Sequence, residues 1–267
     1  MSIHKKIDAS KRFLHTILEA YEKKGKEIYL ANSGGKDSLV CYTLLKEIGA
    51  NIPIVHSNTT IDPPGTLPYI REVMPETIII NPEESFFQLV ARKMFPSLFN
   101  RYCCQILKES YGIGRSTIEG VRASESTKRK GRDLITCDSR PEMKGAEHIY
   151  IIYDWLDDDV YEFKKIRHLE LAPCYRAGLN RLGCVGCPQI TKKGVREHEL
   201  SLYPKYYFAY KKAITKGMEL HPTWKITRYT GGDGEKAMQW WLSGKTMREY
   251  FGYDIPFIRV MKKKDNN

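Results

Sequence analysis

The chain has 267 residues, 42% of them apolar and 28% charged, an ordinary globular composition that excludes a wholly disordered polymer. Its 43 basic and 32 acidic side chains leave a formal charge of +11, which suits anionic partners such as nucleotides or nucleic acid and equally describes a solvated basic surface. No apolar stretch reaches the length of a membrane span, and residues 1–12 are polar and basic rather than a signal sequence, so a cytoplasmic protein with no membrane partner and reduced cysteines is expected.

Residues 7–24 carry Ile7, Phe13, Leu14, Ile17, Leu18 and Tyr21 at close to helical spacing, which predicts a first helix. The apolar run at 27–31 predicts a buried strand, 39–48 a helix ending near Gly49, and 52–56 a second strand. Residues 58–68 read as a Thr- and Pro-rich loop, 69–74 as a short helix, 77–80 as a strand and 86–94 as a helix. A strand end is expected at 118–122, a charged loop or lid at 123–147, an apolar run at 149–153 and a helix at 157–166. The repeated alternation of strand and helix predicts an α/β fold with a mostly parallel, doubly wound twisted sheet flanked by helices. Beyond about residue 191, tyrosines and tryptophans cluster among lysines. The expected division is therefore a nucleotide-binding α/β domain over 1–190 and a helical C-terminal extension over 191–267, with a frayed tail at 262–267. Lysines and aromatic rings in that extension would suit DNA or RNA, although such rings at helical spacing also build ordinary cores.

The strand at 27–31 runs into Ser33-Gly34-Gly35-Lys36-Asp37-Ser38, which opens a helix. Chemically this is an anion cradle. Glycines let backbone N–H groups approach phosphate oxygens, and the helix start adds its dipole. Lys36 supplies a positive charge, Ser33 and Ser38 supply hydroxyls, and Asp37 is placed to hold the loop or help bind Mg²⁺. The spacing is not that of a Walker A loop.

Seven cysteines are present, and two pairs stand out: adjacent Cys103-Cys104, and Cys184 and Cys187 in a CxxC flanked by Gly183. Thiolates so spaced suit Zn²⁺ or an iron–sulfur cluster, and a redox dithiol is a further reading. Cys174 is a candidate substitute ligand, Cys41 falls in a helix as a core residue, and Cys137 falls in the charged loop.

Taken together, these residues resemble the phosphoadenylyl-sulfate (PAPS) reductase family of the PP-loop ATP pyrophosphatase superfamily. The resemblance covers roughly residues 26–190: the Ser33–Ser38 loop, Arg101-Tyr102-Cys103-Cys104 followed by Lys108, Gly120-Val121-Arg122, Asp154-Trp155 with Asp157, Asp158 and Asp159, and Gly183-Cys184 with Cys187-Pro188. It implies an adenine nucleotide alpha-hydrolase-like fold and ATP bound with Mg²⁺ at the loop. The implied cofactor-binding residues are Ser33, Gly34, Gly35, Lys36, Asp37 and Ser38, with Arg122 and Asp62 as further candidates for phosphate, ribose or metal, and Lys36 and Asp37 in catalysis. In adenylyl-sulfate (APS) reductases a Cys-Cys pair and a later CxxC hold a [4Fe-4S] cluster, so Cys103, Cys104, Cys184 and Cys187 are the implied ligands, with structural Zn²⁺ as the alternative. Enzymes of DNA phosphorothioation and some tRNA thiolases also join a PP-loop to a cysteine cluster.

Two departures separate these possibilities. No cysteine follows Cys187 in these 267 residues, so the C-terminal nucleophile of sulfonucleotide reductases has no counterpart in them, and the loop is not degenerate as it is in those reductases. The resemblance therefore implies an AMP- and pyrophosphate-forming sulfurtransferase with a sulfur donor such as a cysteine desulfurase and a DNA or RNA acceptor. An APS or PAPS reductase and a non-catalytic nucleic-acid-binding subunit are the alternatives, and a homodimer stays open.

Overall fold

The computed structural model describes residues 1–143 and 145–252, so the tail expected at 262–267 lies outside the described residues. The chain forms two compact units, one comprising residues 1–86 and 100–187, the other residues 87–99 together with the chain from Pro188 onward.

In the first unit, six short strands make one sheet: β1 (Ile28–Ala31), β2 (Ile54–Ser57), β3 (Ile78–Ile80), β4 (Ser116–Ile118), β5 (Ile135–Cys137) and β6 (Glu147–Ile149), in the order β3-β2-β1-β4-β6-β5. All neighbouring pairs are parallel except β5 with β6. The order runs leftward through β1, β2 and β3 and resumes on the other side at β4. The crevice between the C-terminal ends of β1 and β4 is therefore the switch point at which doubly wound sheets bind ligands.

The α/β expectation thus holds, with four local differences. Helix α1 spans Ile3–Lys23 and starts earlier than its apolar periodicity, because Ile3 and the stem of Lys6 are also buried. Helix α2 spans Lys36–Glu47 and so begins inside the glycine loop. The segment 123–147 is not wholly loop: it carries the edge strand β5, antiparallel to β6. Conversely, only Ile149 of the apolar run 149–153 is strand, and the rest is a turn. Ile151 and Trp155 are buried there, where the Ser10 hydroxyl donates to the Ile151 carbonyl at 2.7 Å and the Trp155 indole N–H donates to Ser10 at 3.1 Å. That turn fastens α1 to the start of α6 (Asp157–Ile166), where three aspartates complement the helix N-terminus. The remaining helices of this unit are α3 (Thr66–Val73), α5 (Tyr102–Leu107) and α7 (Pro173–Arg176), with α4 (Phe86–Lys93) leading out of it.

The second unit is helical: α4 with α8 (Val195–Leu202), α9 (Pro204–Leu220), α10 (Lys225–Thr230), α11 (Gly234–Ser243) and α12 (Met247–Phe251). Its centre is aromatic. Phe95 stacks on Trp241 with centroids 4.5 Å apart, Tyr210 lies 4.9 Å from the same ring, and the Trp241 indole donates to the Pro96 carbonyl at 2.9 Å. The Arg196 guanidinium lies 3.9 Å over the Trp241 ring and donates to the Trp241 carbonyl at 3.1 Å. Tyr210 and Trp241 are therefore core residues rather than free stacking platforms. The helix ends are set locally: the Asp233 carboxylate accepts from the Glu235 and Lys236 N–H groups, and Thr246 forms a capping box with Glu249. No helix among the described residues is long and apolar enough to cross a membrane.

Candidate functional site

The glycine loop sits at the C-terminal end of β1, and its shape is fixed by Asn32, the residue before it. The buried Asn32 carboxamide oxygen accepts from the Gly34 N–H at 2.9 Å and from the Ser38 hydroxyl at 3.3 Å, while its nitrogen donates to Thr77 at 3.0 Å. Gly34 has a φ of +75°, which disfavours any side chain there. The Ser33 hydroxyl accepts from the Gly35 N–H at 3.2 Å and meets the Ser38 hydroxyl at 3.2 Å. Gly120, two residues beyond β4, makes the second close approach. A Cβ there would lie 2.7 Å from the Asp37 carbonyl carbon, so only glycine lets this chain pass across the first turn of α2.

That approach brings Arg122 to the loop. Its Nε is 2.7 Å from Asp37 Oδ1 and its Nη2 is 2.7 Å from Asp157 Oδ1. Lys36 Nζ lies 3.2 Å from Asp37 Oδ2 and 3.4 Å from Asp157 Oδ1, which closes a four-membered network of two cations and two carboxylates. Arg122 is buried, its side chain 2% exposed, whereas Asp157 is 65% exposed. Burial works against the Arg122 charge, yet Asp37 and Asp157 hold its guanidinium above the ordinary range. Asp157 is itself pulled below the usual carboxylate range: burial opposes this, and Arg122 and Lys36 outweigh it. The Arg122 charge is thus retained next to the loop. The Lys36 N–H at the start of α2 donates to the Tyr175 hydroxyl at 2.9 Å, so a residue 139 positions away covers the loop. Burial raises the Tyr175 phenol to about 12, so this hydroxyl stays neutral.

The cysteines form a second group of candidate site residues. All seven are free thiols: Cys41 and Cys174 are buried, Cys137 is exposed on β5, and Cys103, Cys104, Cys184 and Cys187 are part-buried. The Cys103-Cys104 pair starts α5, and Cys184 and Cys187 bracket a turn in which Gly186 has a φ of +71° and the Cys187 N–H donates to the Cys184 carbonyl at 3.3 Å. The Cys103 thiol is pushed up by its contact with Cys104 and feels Cys184 and Cys187 as well. Cys104 moves well below the usual thiol range, stabilised as thiolate by Cys103 and by Arg101. Lys108 is held charged chiefly by Cys184, against the cost of desolvating its ammonium, with Asp62, Cys104 and Cys187 adding to the effect. The structure therefore brings the four thiols into one electrostatic neighbourhood with Arg101 and Lys108. Among the described residues, however, no three His, Cys, Asp or Glu side chains are gathered at ligating distance of one metal ion. The donor chemistry fits a thiolate-held group: four reduced thiols with two cations beside them to offset negative charge.

Asp62 stands between the two regions. Its Oδ2 accepts from the Thr59 N–H at 3.3 Å and lies 3.7 Å from His56 Nε2. A cavity of about 130 Å³ opens here, lined by Ser33 from the loop side and by Lys108 and Gly183 from the cysteine side, together with His56 and Asp62. A larger cavity of about 450 Å³ beside α6 and α7 borders Tyr175 but includes none of the loop residues. Of the site residues expected from sequence, Ser33 and Asp62 line this cavity, and Lys36, Asp37 and Arg122 meet in the ion-pair network at the loop. Asn32, His56, Asp157 and Tyr175 were missed as site residues. Asn32 could have been suspected from its position before the loop, but no local signal marks Tyr175.

Residues 27–190 match the model of the phosphoadenosine phosphosulfate reductase domain. The chain is 27% identical over 218 residues to an uncharacterized protein of Methanocaldococcus jannaschii, covering 77% of this chain and 45% of that one, so it spans about half the length of that relative. It is 26% identical to an adenosine 5'-phosphosulfate reductase of Oceanobacillus iheyensis (63% of this chain, 74% of the relative) and 25% identical to the protein so named in Staphylococcus haemolyticus (67% and 78%). Among solved structures, a phosphate complex of the PAPS reductase of Candida auris aligns with a TM-score of 0.49 at 16% identity, covering 67% of this chain and 93% of that one. With the family model matched across the whole crevice, from the strand before the glycine loop to just past Cys187, this chain belongs to the phosphoadenosine phosphosulfate reductase domain family.

Proposed function

We propose that the chain is an ATP-dependent sulfurtransferase that forms AMP and pyrophosphate, with a nucleic-acid phosphate or base as the sulfur acceptor. The observation that supports this reading is a braced glycine loop with Lys36 and Arg122 paired beside it, whose Ser33 shares a cavity wall with Lys108 and Gly183, the neighbours of the cysteine pairs. In this reading ATP enters with Mg²⁺, and its outer phosphates occupy the Ser33–Ser38 loop. Lys36 and Arg122 offset the charge that builds on pyrophosphate, and Asp37 and Asp157 keep both cations oriented. An acceptor oxygen attacks the α-phosphorus, and the bond to the bridging oxygen breaks with its electron pair leaving on pyrophosphate. A sulfur nucleophile, supplied by a donor such as a cysteine desulfurase, then displaces AMP. Cys103, Cys104, Cys184 and Cys187 would hold a [4Fe-4S] cluster, which supplies sulfur or electron chemistry when bound; structural Zn²⁺ is the alternative for the same thiols.

The test is anaerobic purification with iron, sulfide and zinc analysis, alongside an assay of ATP conversion to AMP and pyrophosphate in the presence of nucleic acid. Stoichiometric iron and sulfide with AMP formation is the expected result. A second reading, reduction of APS, draws on the relatives that carry that name. Sulfite release from APS with a thiol reductant and no ATP cleavage would replace the first reading by the second.

A further inference from the structure

We propose that the cavity at the C-terminal end of β2 is a ribose seat, in which His56 and Asp62 together accept the two hydroxyl protons of a nucleotide's cis-diol. The inference rests on the nucleotide reading of the loop and deepens it.

His56 ends a buried stretch of β2 and is 2% exposed. Its Nδ1 is 2.8 Å from the Asn32 carbonyl oxygen. A carbonyl only accepts, so Nδ1 carries the proton and Nε2 of the neutral ring presents a lone pair. Burial keeps the ring neutral by lowering its affinity for a second proton. Nε2 is a buried polar atom with no hydrogen-bond partner in the protein, and it faces Asp62 Oδ2 across 3.7 Å. Two acceptors cannot satisfy each other, and an unsatisfied buried acceptor is costly, so the gap calls for a donor from a ligand.

The size and position of the cavity narrow the choice. At about 130 Å³ it is smaller than a whole ligand pocket, typically about 300–1,000 Å³, so it takes one fragment of a larger molecule. Ser33 of the phosphate loop forms part of its wall, which puts that fragment next to the phosphates. The Asp62 carboxylate and the Lys108 ammonium offset each other, so a neutral polar fragment suits the cavity better than an ion. A vicinal diol offers two O–H donors on adjacent carbons, the complement of two adjacent acceptors. Phosphates at the first strand–helix turn, with sugar hydroxyls bound by a carboxylate after the second strand, is also how other doubly wound sheets read ribose.

The experiment titrates the full chain with ATP, 2'-deoxy-ATP and 3'-deoxy-ATP by calorimetry. Each deoxy analogue is expected to bind about tenfold more weakly than ATP, the usual consequence of stranding a buried acceptor. In His56→Phe, which keeps ring bulk but no lone pair, one deoxy analogue should bind within about twofold of ATP while the other, lacking the hydroxyl that faces Asp62, keeps its deficit; Asp62→Ala should exchange the two analogues, and serves alone if His56→Phe does not fold. Equal binding of all three to the unmodified chain overturns the ribose seat while leaving the nucleotide reading in place. Full discrimination retained in both variants overturns it as well, because the diol is then read elsewhere. No binding of ATP at all removes both readings together.

Discussion

The glycine loop and the cysteine cluster flank a cavity walled by Ser33 on one side and by Lys108 and Gly183 on the other, yet they are built in opposite ways. The loop is complete within the protein: Asn32 braces Gly34 and Ser38, Ser33 braces Gly35, and Arg122 with Asp157 fixes Lys36 and Asp37. The cysteines share an electrostatic neighbourhood but no ligating geometry. A phosphate site can be assembled from backbone N–H groups and ion pairs that also stabilise the fold. Four thiols gain little from one another without an added group, since bringing thiolates together costs energy until something positive lies among them. On the proposed function, the loop is pre-organised for its ligand, whereas the cysteines would need an added group to complete their site.

The sharpest way to break this contrast is a pair of substitutions. Lys36→Ala should lower AMP and pyrophosphate formation by about 100-fold or more, the scale expected when a preorganised charge at the leaving group is lost, and should leave iron content unchanged. Cys184→Ser should do the reverse, removing bound iron and sulfide while ATP affinity measured by calorimetry stays within about twofold. If Lys36→Ala also empties the iron, or Cys184→Ser also abolishes nucleotide binding, the two regions are one cooperative site and the contrast fails.

The legibility of the two regions in the sequence follows from the same difference. The strand, glycine loop and helix of the cradle are contiguous, so pattern and composition disclose them together. Arg122 arrives from β4 and was readable only through its Gly120-Val121-Arg122 context, whose need for glycine becomes plain when the chain is seen crossing Asp37. Asp157 was legible as one of three helix-start aspartates but not as a partner of Lys36. The cysteine pairs were visible as spacing, but their convergence with Lys108 is tertiary. The polar segment before residue 147 hid β5 and the start of β6 because these strands are three residues long and Glu147, His148 and Asp138 carry charge where apolar alternation was sought.

That charge has a structural use, and it yields the second prediction. His148 Nδ1 lies 2.8 Å from Glu119 and its Nε2 lies 3.1 Å from Asp138, so the ring joins β6 to the residue following β4 and to the one following β5. The Glu119 contact is the main cause that raises its proton affinity to about 9, with Asp138 adding to it against the cost of burial. A group raised above its unfolded value of about 6.5 contributes stability that is complete below that pH and disappears as pH rises through the folded value. The unfolding free energy should therefore fall between pH 6.5 and pH 9 by an amount on the order of 2 kcal/mol, read as a falling denaturation midpoint. His148→Gln should flatten that slope. Because Glu119 immediately precedes the Gly120 crossing, nucleotide affinity should weaken over the same window if the cradle leans on this contact. A flat midpoint, or a slope that survives in His148→Gln, would show that β6 contributes nothing of the kind.

The smallest expected effect tests how complete the cradle is. The Tyr175 hydroxyl takes the Lys36 N–H, one of the few donors at the start of α2 that points toward an incoming anion. Gly35 sits beside that hydroxyl, which a Cβ there would meet at 3.4 Å, an ordinary van der Waals contact. Around it, the Tyr69 hydroxyl donates to the Glu170 carbonyl at 2.8 Å, so the chain leading into α7 is tied to α3, and the cavity of about 450 Å³ beside Tyr175 offers space into which the phenol can move. A phosphate oxygen must either displace the phenol or bind beside it. If it displaces it, Tyr175→Phe removes a competitor, and inorganic pyrophosphate should bind about threefold to tenfold more tightly, the net worth of one exchanged hydrogen bond. If the phenol instead donates its own proton to the phosphate, the same substitution should weaken pyrophosphate binding by a similar factor. The short distance to Lys36 and the neutral phenol favour displacement, because the hydroxyl already occupies the position an oxygen anion would take. Tighter binding in Tyr175→Phe would make the cradle a finished site held closed by one side chain. Weaker binding would make Tyr175 a fifth member of the Lys36, Asp37, Arg122 and Asp157 network, and the loop would then depend on a distant segment as the cysteines do.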